Sequence, residues 1–198
     1  MKFPLFTAIL LISTLVIAPI ARSLELFKND KTDFNFNGNL SVYYLKSNDH
    51  EEVNDGFSRY IFDLSHKIKY DWQALAKLEW GVQLSNTDDS IIVNHNGLTS
   101  TGPTSDSTWL RQGFVGVQHE QYGRFTLGKQ WGVSYDVGGV TDWFEIFGAE
   151  AQGTYNFGTD GGFSGTGRAE QALQYKVNYK NFSFGTQYLA SEDQLHAS

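Results

Sequence analysis

The sequence predicts an all-β protein whose strands form an antiparallel, up-and-down sheet of the kind that crosses a membrane as a barrel. Three observations predict it. Apolar and polar residues alternate with period two over segments of about ten residues, longer than the usual strand of a soluble protein. Tight turns alternate with long connections along the chain. Aromatics make up 15% of the residues and Gly counts 20 against only 3 Pro, a balance that favours strands and their turns.

Composition also excludes several functions. The chain has 198 residues and no Cys, so it holds no disulfide, Cys-ligated zinc, iron–sulfur cluster or thiol nucleophile. A formal charge of −7 argues against nucleic-acid binding, which needs a basic face. The aromatic content is too high for a disordered chain.

Residues 1–23 read as a signal peptide. Lys2 gives a positive start, Phe3 to Ile20 is uncharged and mostly apolar, and Ala21-Arg22-Ser23 places small residues at −3 and −1 for cleavage before Leu24. Pro4 and Pro19 weigh against reading the run as a transmembrane anchor. Residues 24–198 then form the exported unit. They contain no second long apolar run, so a membrane-embedded form has to be a β-barrel.

The strands follow in order. Asp33 to Leu45 sets Phe34, Phe36, Gly38, Leu40, Val42 and Tyr44 against Asn35, Asn37, Asn39, Ser41 and Tyr43. Arg59 to Tyr70 sets Tyr60, Phe62, Leu64, His66, Ile68 and Tyr70 against Arg59, Ile61, Asp63, Ser65, Lys67 and Lys69. Ala74 to Leu84 has an apolar face through Leu78, Trp80 and Val82 and a polar one with Lys77, Glu79 and Gln83. Leu110 to Gln118 puts Phe114 and Gly116 on one face and Arg111 on the other, and Phe125 to Trp131 follows the turn Glu120-Gln121-Tyr122-Gly123. Arg168 to Tyr179 alternates Leu173, Tyr175 and Val177 against Gln174 and Lys176. Phe182 to Leu189 closes a series of seven.

The stretches 46–58, 86–108 and 132–167 are long, whereas Tyr70-Asp71-Trp72-Gln73 and Lys180-Asn181 are tight turns. Outer-membrane barrels show this rhythm, with short periplasmic turns and long extracellular loops. Aromatics such as Tyr60, Tyr70, Trp72, Trp109, Tyr122 and Trp131 fall near strand ends, where girdles sit at the bilayer interface. A soluble β-sandwich has the same alternation and is the plainer alternative.

The run from Leu110 to Gly148, LRQGFVGVQHEQYGRFTLGKQWGVSYDVGGVTDWFEIFG, resembles the general diffusion porins of Gram-negative outer membranes. Those proteins carry a similar Arg-x-x-Phe-x-Gly strand, a tight turn, a Gly-rich strand and a Tyr-Asp…Gly…Thr-Asp loop. Here the matching residues are Arg111, Phe114 and Gly116, then Tyr122-Gly123, then Phe125 to Gly128, then Tyr135-Asp136, Gly139 and Thr141-Asp142. The start of the exported unit, LELFKNDKTDFNFNGNLSVYY, resembles the family's opening strand.

The resemblance implies a sixteen-stranded antiparallel barrel, usually a homotrimer in outer-membrane lipid, of which this chain carries about the first seven strands. It implies that a long loop folds into the barrel and narrows it, with acids on the loop facing arginines on the wall. Arg59, Arg111 and Arg168 match the wall positions, and all three lie in the polar, lumen-facing phase. Asp136 and Asp142 match acidic loop positions. The family's second carboxylate there falls opposite Ile146, with Glu145 one residue earlier, and the proline that usually precedes it is missing. Either Glu145 takes that role through a local shift or the constriction carries fewer acids.

The bland readings stand beside these. A lone arginine on a strand face is often solvated surface. The acids Asp136, Asp142, Glu145 and Glu150 sit in a Gly-rich loop, which is usually only solvated. The five His residues show no metal-ligand spacing, and Gly161 to Gly167 follows no Rossmann strand.

The expected function is a water-filled, non-enzymatic channel in the outer membrane that passes small hydrophilic solutes and ions by diffusion, with no metal or cofactor. Charged rows across the constriction would sort ions. The chain is short for sixteen strands, and Ser198 is not the aromatic end of a porin, so it reads as the N-terminal part of a longer protein. A small complete barrel with a structural or adhesive role, or a soluble exported sugar-binding sandwich, are the alternatives.

Overall fold

The computed structural model describes residues 23–46, 51–85, 90–94, 97–101, 107–141, 164–190 and 194–197. The expected signal peptide up to Arg22 lies outside these residues, as do Asp142 and Glu145.

The described strands are, in chain order, β1 (Leu24–Lys28), β2 (Thr32–Asn39), β3 (Val42–Lys46), β4 (Glu51–Asp55), β5 (Arg59–Lys67), β6 (Gln73–Val82), β7 (Ser90–Asn94), β8 (Gly97–Thr101), β9 (Thr108–His119), β10 (Gly123–Trp131), β11 (Arg168–Tyr179), β12 (Phe182–Leu189) and β13 (Gln194–Ala197). A short helix α1 (Val133–Gly138) and a 3-10 turn (Gly139–Thr141) follow β10. Nine strands form one antiparallel sheet in the order β1-β2-β5-β6-β9-β10-β11-β12-β13. This is a meander, in which each main strand lies beside the next.

All seven expected strands are present. The structure adds three features. The first expected strand breaks at Leu40–Ser41, so β3 leaves the main sheet and pairs with β4 as a separate hairpin. The long connection 86–108 likewise holds the hairpin β7–β8. β1 and β13 extend the sheet at its two edges.

Tight turns fall at one end and the long connections at the other. The turn between β5 and β6 uses Tyr70 and Asp71 at φ 58° and 61°, the left-handed pair that a two-residue hairpin loop requires.

Burial is inverted relative to a soluble protein. Among the described residues the buried hydrophobics are Phe114, Val133, Ala169, Ala172 and Leu189, while Glu79, Arg111, Gln112, Gln130, Gln174 and Gln187 are buried polar groups. Large apolar side chains such as Leu78, Val115, Phe125, Leu127 and Leu173 are exposed. The exposed residues share one face because register aligns them: Ala76 pairs with Val115, Val115 with Leu127, and Leu127 with Leu173. Across β2, β5 and β6 that outer face carries an aromatic ladder, with Phe36 and Phe62 at 5.1 Å and Tyr60 and Trp80 at 5.3 Å. Trp72, His119 and Tyr122 cluster at the tight-turn end. Apolar outside and polar inside is the pattern a barrel needs in lipid.

One face assignment is corrected. Strict alternation separates Phe114 from Arg111, yet both reach the inner face. The β6–β9 register shifts so that Glu79 pairs with Gln112 and Trp80 with Leu110. Arg111 is the extra residue of this bulge, and a bulge re-aims a side chain. Beyond it, Gln112 and Phe114 stand opposite Glu79 and Lys77 on the inner face.

Candidate pore lining

The inner face carries two charged levels. The first lies at the long-connection end and centres on Glu79, which is 3% exposed. Arg111 Nε donates to Glu79 Oε1 at 2.7 Å, and Gln112 Nε2 donates to Oε2 at 2.5 Å. Arg59 Nη1 stands 3.9 Å from Glu79 Oε1, and its Nε donates to Asn39 Oδ1 at 3.0 Å. The wall therefore holds its own carboxylate between two arginines. The bulge allows this, because two successive residues of β9 reach one acid. A carboxylate so far removed from water is stabilised only while its partners remain, and deleting one partner of such a pair costs about 3–5 kcal/mol.

Arg168 occupies a different place. It begins β11, is buried, and its guanidinium lies 5.2 Å from the centre of the Trp131 ring. Trp131 in turn stacks on Tyr135 of α1 at 3.9 Å. This stack joins β10, β11 and the start of the long connection.

The neck of that connection is held by the backbone and by glutamines. Gly132 N donates to Gly167 O at 2.7 Å. A Cβ on Gly132 would lie 2.1 Å from the Gly165 carbonyl oxygen, so glycine is required for the entering and leaving chains to approach so closely. Gln174 Nε2 donates to Trp131 O at 2.8 Å and to Gln187 Oε1 at 2.6 Å, and Gln187 Nε2 donates to Gly165 O at 3.2 Å. Val133 is fully buried at the start of α1, and its N–H donates to Gln187 Oε1 at 3.4 Å, which ties the helix to the inner face.

That turn inward sets the second level, nearer the tight turns. Asp136 of α1 forms an ion pair with Lys176 of β11 at 2.8 Å. Lys77 pairs with Asp63 at 3.7 Å. Arg124 lies over the Phe114 ring, 4.9 Å from its centroid. Two adjoining hollows of about 470 and 1060 Å³ lie here, and Gln118, Arg124, Asp136 and Lys176 line both.

The expected site residues thus divide. Arg59 and Arg111 meet at one acid, Arg168 stands on Trp131, and Asp136 reaches Lys176. Asp142 and Glu145 lie outside the described residues. The sequence reading missed Glu79 as a site residue, and with it Gln112, Gln174, Gln187, Lys176 and Arg124. Glu79 carried a usable signal, being an acid in the lumen phase of the strand beside Arg59.

The family described as Gram-negative porin matches residues 8–198. The chain belongs to that family. Similar curated proteins include outer membrane porin N of Escherichia coli, 25% identical over 88% of this chain and 43% of its own length. Outer membrane protein F of Serratia marcescens is 28% identical over 84% of this chain and 40% of its own. Among solved structures, Salmonella typhi OmpF in complex with daunomycin superposes with a TM-score of 0.61 at 20% identity, over 84% of this chain and 46% of that one. OmpT of Vibrio cholerae lacking loop L8 gives 0.57 at 21% identity, and these likenesses support the barrel fold. The chain spans less than half the length of the relatives it matches. Its relatives are porins of the Gram-negative outer membrane, and that is where the chain belongs.

Proposed function

We propose that this porin forms the wall of a water-filled channel through which small hydrophilic solutes and ions diffuse passively. The observation that carries the reading is the inner face itself: polar and charged, hollow, and crossed by a helix that turns inward from a glycine-hinged neck. The outer face is apolar and fits lipid. Sheet edges in lipid leave backbone groups unsatisfied at several kcal/mol each, so β1 and β13 pair with further strands in the assembled barrel. Homotrimer formation, export through residues 1–23 and Arg59, Arg111 and Arg168 as the basic wall of the constriction belong to the same proposal. Asp136, Asp142 and Glu145 form its acidic side.

The test is the reversal potential across a KCl gradient in planar bilayers, using protein extracted from outer membranes. Replacing Arg59, Arg111 and Arg168 with Gln raises cation preference, because charge inside a pore is screened less than charge on a surface. Replacing Asp142 and Glu145 with Asn and Gln shifts it the other way. Unchanged reversal potentials for both sets remove these residues from the constriction.

A further inference from the structure

Arg124 differs from the ion-paired charges around it, and it lines both hollows. Asp63 is matched by Lys77 at 3.7 Å and Asp136 by Lys176 at 2.8 Å. Asp33 lies 3.5 Å from Lys28 and accepts from Asn35 Nδ2 at 2.5 Å. The nearby amides are also engaged, with Gln118 donating to Gln73 at 2.8 Å and Thr126 to Gln130 at 2.5 Å. Among the described residues Arg124 has no hydrogen bond and no ion pair, only the ring of Phe114 beneath it.

The surroundings hold this guanidinium ready. Arg124 stands on β10 with Gln118 of β9 and Lys176 of β11 as its direct cross-strand neighbours. The Phe114 ring lies beside the guanidinium, and the N–H donors of Arg124 make no hydrogen bond to any described residue. Those donors form a fork that fits the two oxygens of a carboxylate. The residue lines both hollows, so a solute moving between them passes it.

We infer that Arg124 is a docking point for carboxylate-bearing solutes on the tight-turn side of α1, a station in the channel separate from the Arg59–Glu79–Arg111 cluster. The inference rests on the channel reading above. Asp63 and Asp136 are each engaged by a lysine of their own, so the N–H donors of Arg124 stay open to the carboxylate of a solute. Contact with a carboxylate in a wet site is weak enough for the solute to leave again, as transport requires.

Succinate serves as the probe. In bilayers bathed in KCl, succinate added on the periplasmic side transiently occludes the wild-type current. R124Q raises the half-blocking concentration about fivefold, the order expected for one charge-assisted contact in water. R124K, which keeps the charge and loses the fork, falls between. K77Q removes an already paired cation and moves the half-blocking concentration less than R124Q does. KCl conductance of each variant reports that the barrel has assembled. Equal succinate block in wild type and R124Q, with KCl current intact, overturns the inference and leaves the channel reading standing. A wild-type protein that carries no KCl current overturns both.

Discussion

The two charged levels of the inner face use similar residues to opposite ends. At the long-connection end Glu79 draws Arg111, Gln112 and Arg59 onto one carboxylate. Nearer the tight turns Asp63 and Asp136 each take a lysine, and Arg124 has no ion-pair partner among the described residues. The first level spends its charges on one another inside a buried network. The second leaves a cation facing the hollows. Counting arginines along the wall therefore misjudges the field a solute meets, since each guanidinium counts only to the extent that its own neighbours leave it unneutralised.

Breaking the first level has the largest expected effect. Glu79→Ala leaves Arg111, 7% exposed, without its carboxylate, and a loss of about 3 kcal/mol follows. Urea unfolding of the protein in detergent micelles reads this loss. The milder Glu79→Gln keeps the shape and removes the charge, so the reversal potential moves toward anions as Arg59 and Arg111 become unbalanced. A Glu79→Ala protein as stable as wild type separates the two arginines from the acid and dissolves the contrast between the levels.

The second level gives a smaller effect. Asp136 and Lys176 are 44% and 30% exposed, so their pairing is worth only about 0.5 kcal/mol. A double-mutant cycle with Asp136→Asn and Lys176→Gln measures it. Single-channel conductance rises in either variant, because α1 is held less firmly across the passage. Additive effects of the two substitutions deny the contact.

How much of this was legible in the sequence depends on how far apart the partners lie. Alternation finds β5, β6, β11 and β12 because period two is a property of neighbouring residues. It misses β1, a five-residue edge strand whose residues are all exposed. It misplaces Phe114 relative to Arg111, because a bulge adds one residue and inverts the phase beyond it. It assigns Glu79 to a face and stops there, since the partner Arg111 lies 32 positions on and only strand register brings the two together. The same holds for Asp136 and Lys176, 40 positions apart. The resemblance to porins supplied the arginines by position, and cross-strand pairing supplies their environment.

The central claim is that the polar face of this sheet meets water and the apolar face meets lipid. Lys77 and Leu78 are neighbours on β6 and point to opposite faces. The chain has no native cysteine, so Lys77→Cys and Leu78→Cys each carry a single thiol. In the sheet alone, Leu78 is the more exposed, at 43% against 26% for the Lys77 side chain, and a soluble sandwich would label it faster. A charged, membrane-impermeant thiol reagent applied to outer-membrane vesicles is predicted to modify the thiol at 77 rapidly and the thiol at 78 at least about tenfold more slowly, because a thiolate does not form in hydrocarbon. Faster labelling at 78 than at 77 would contradict the account.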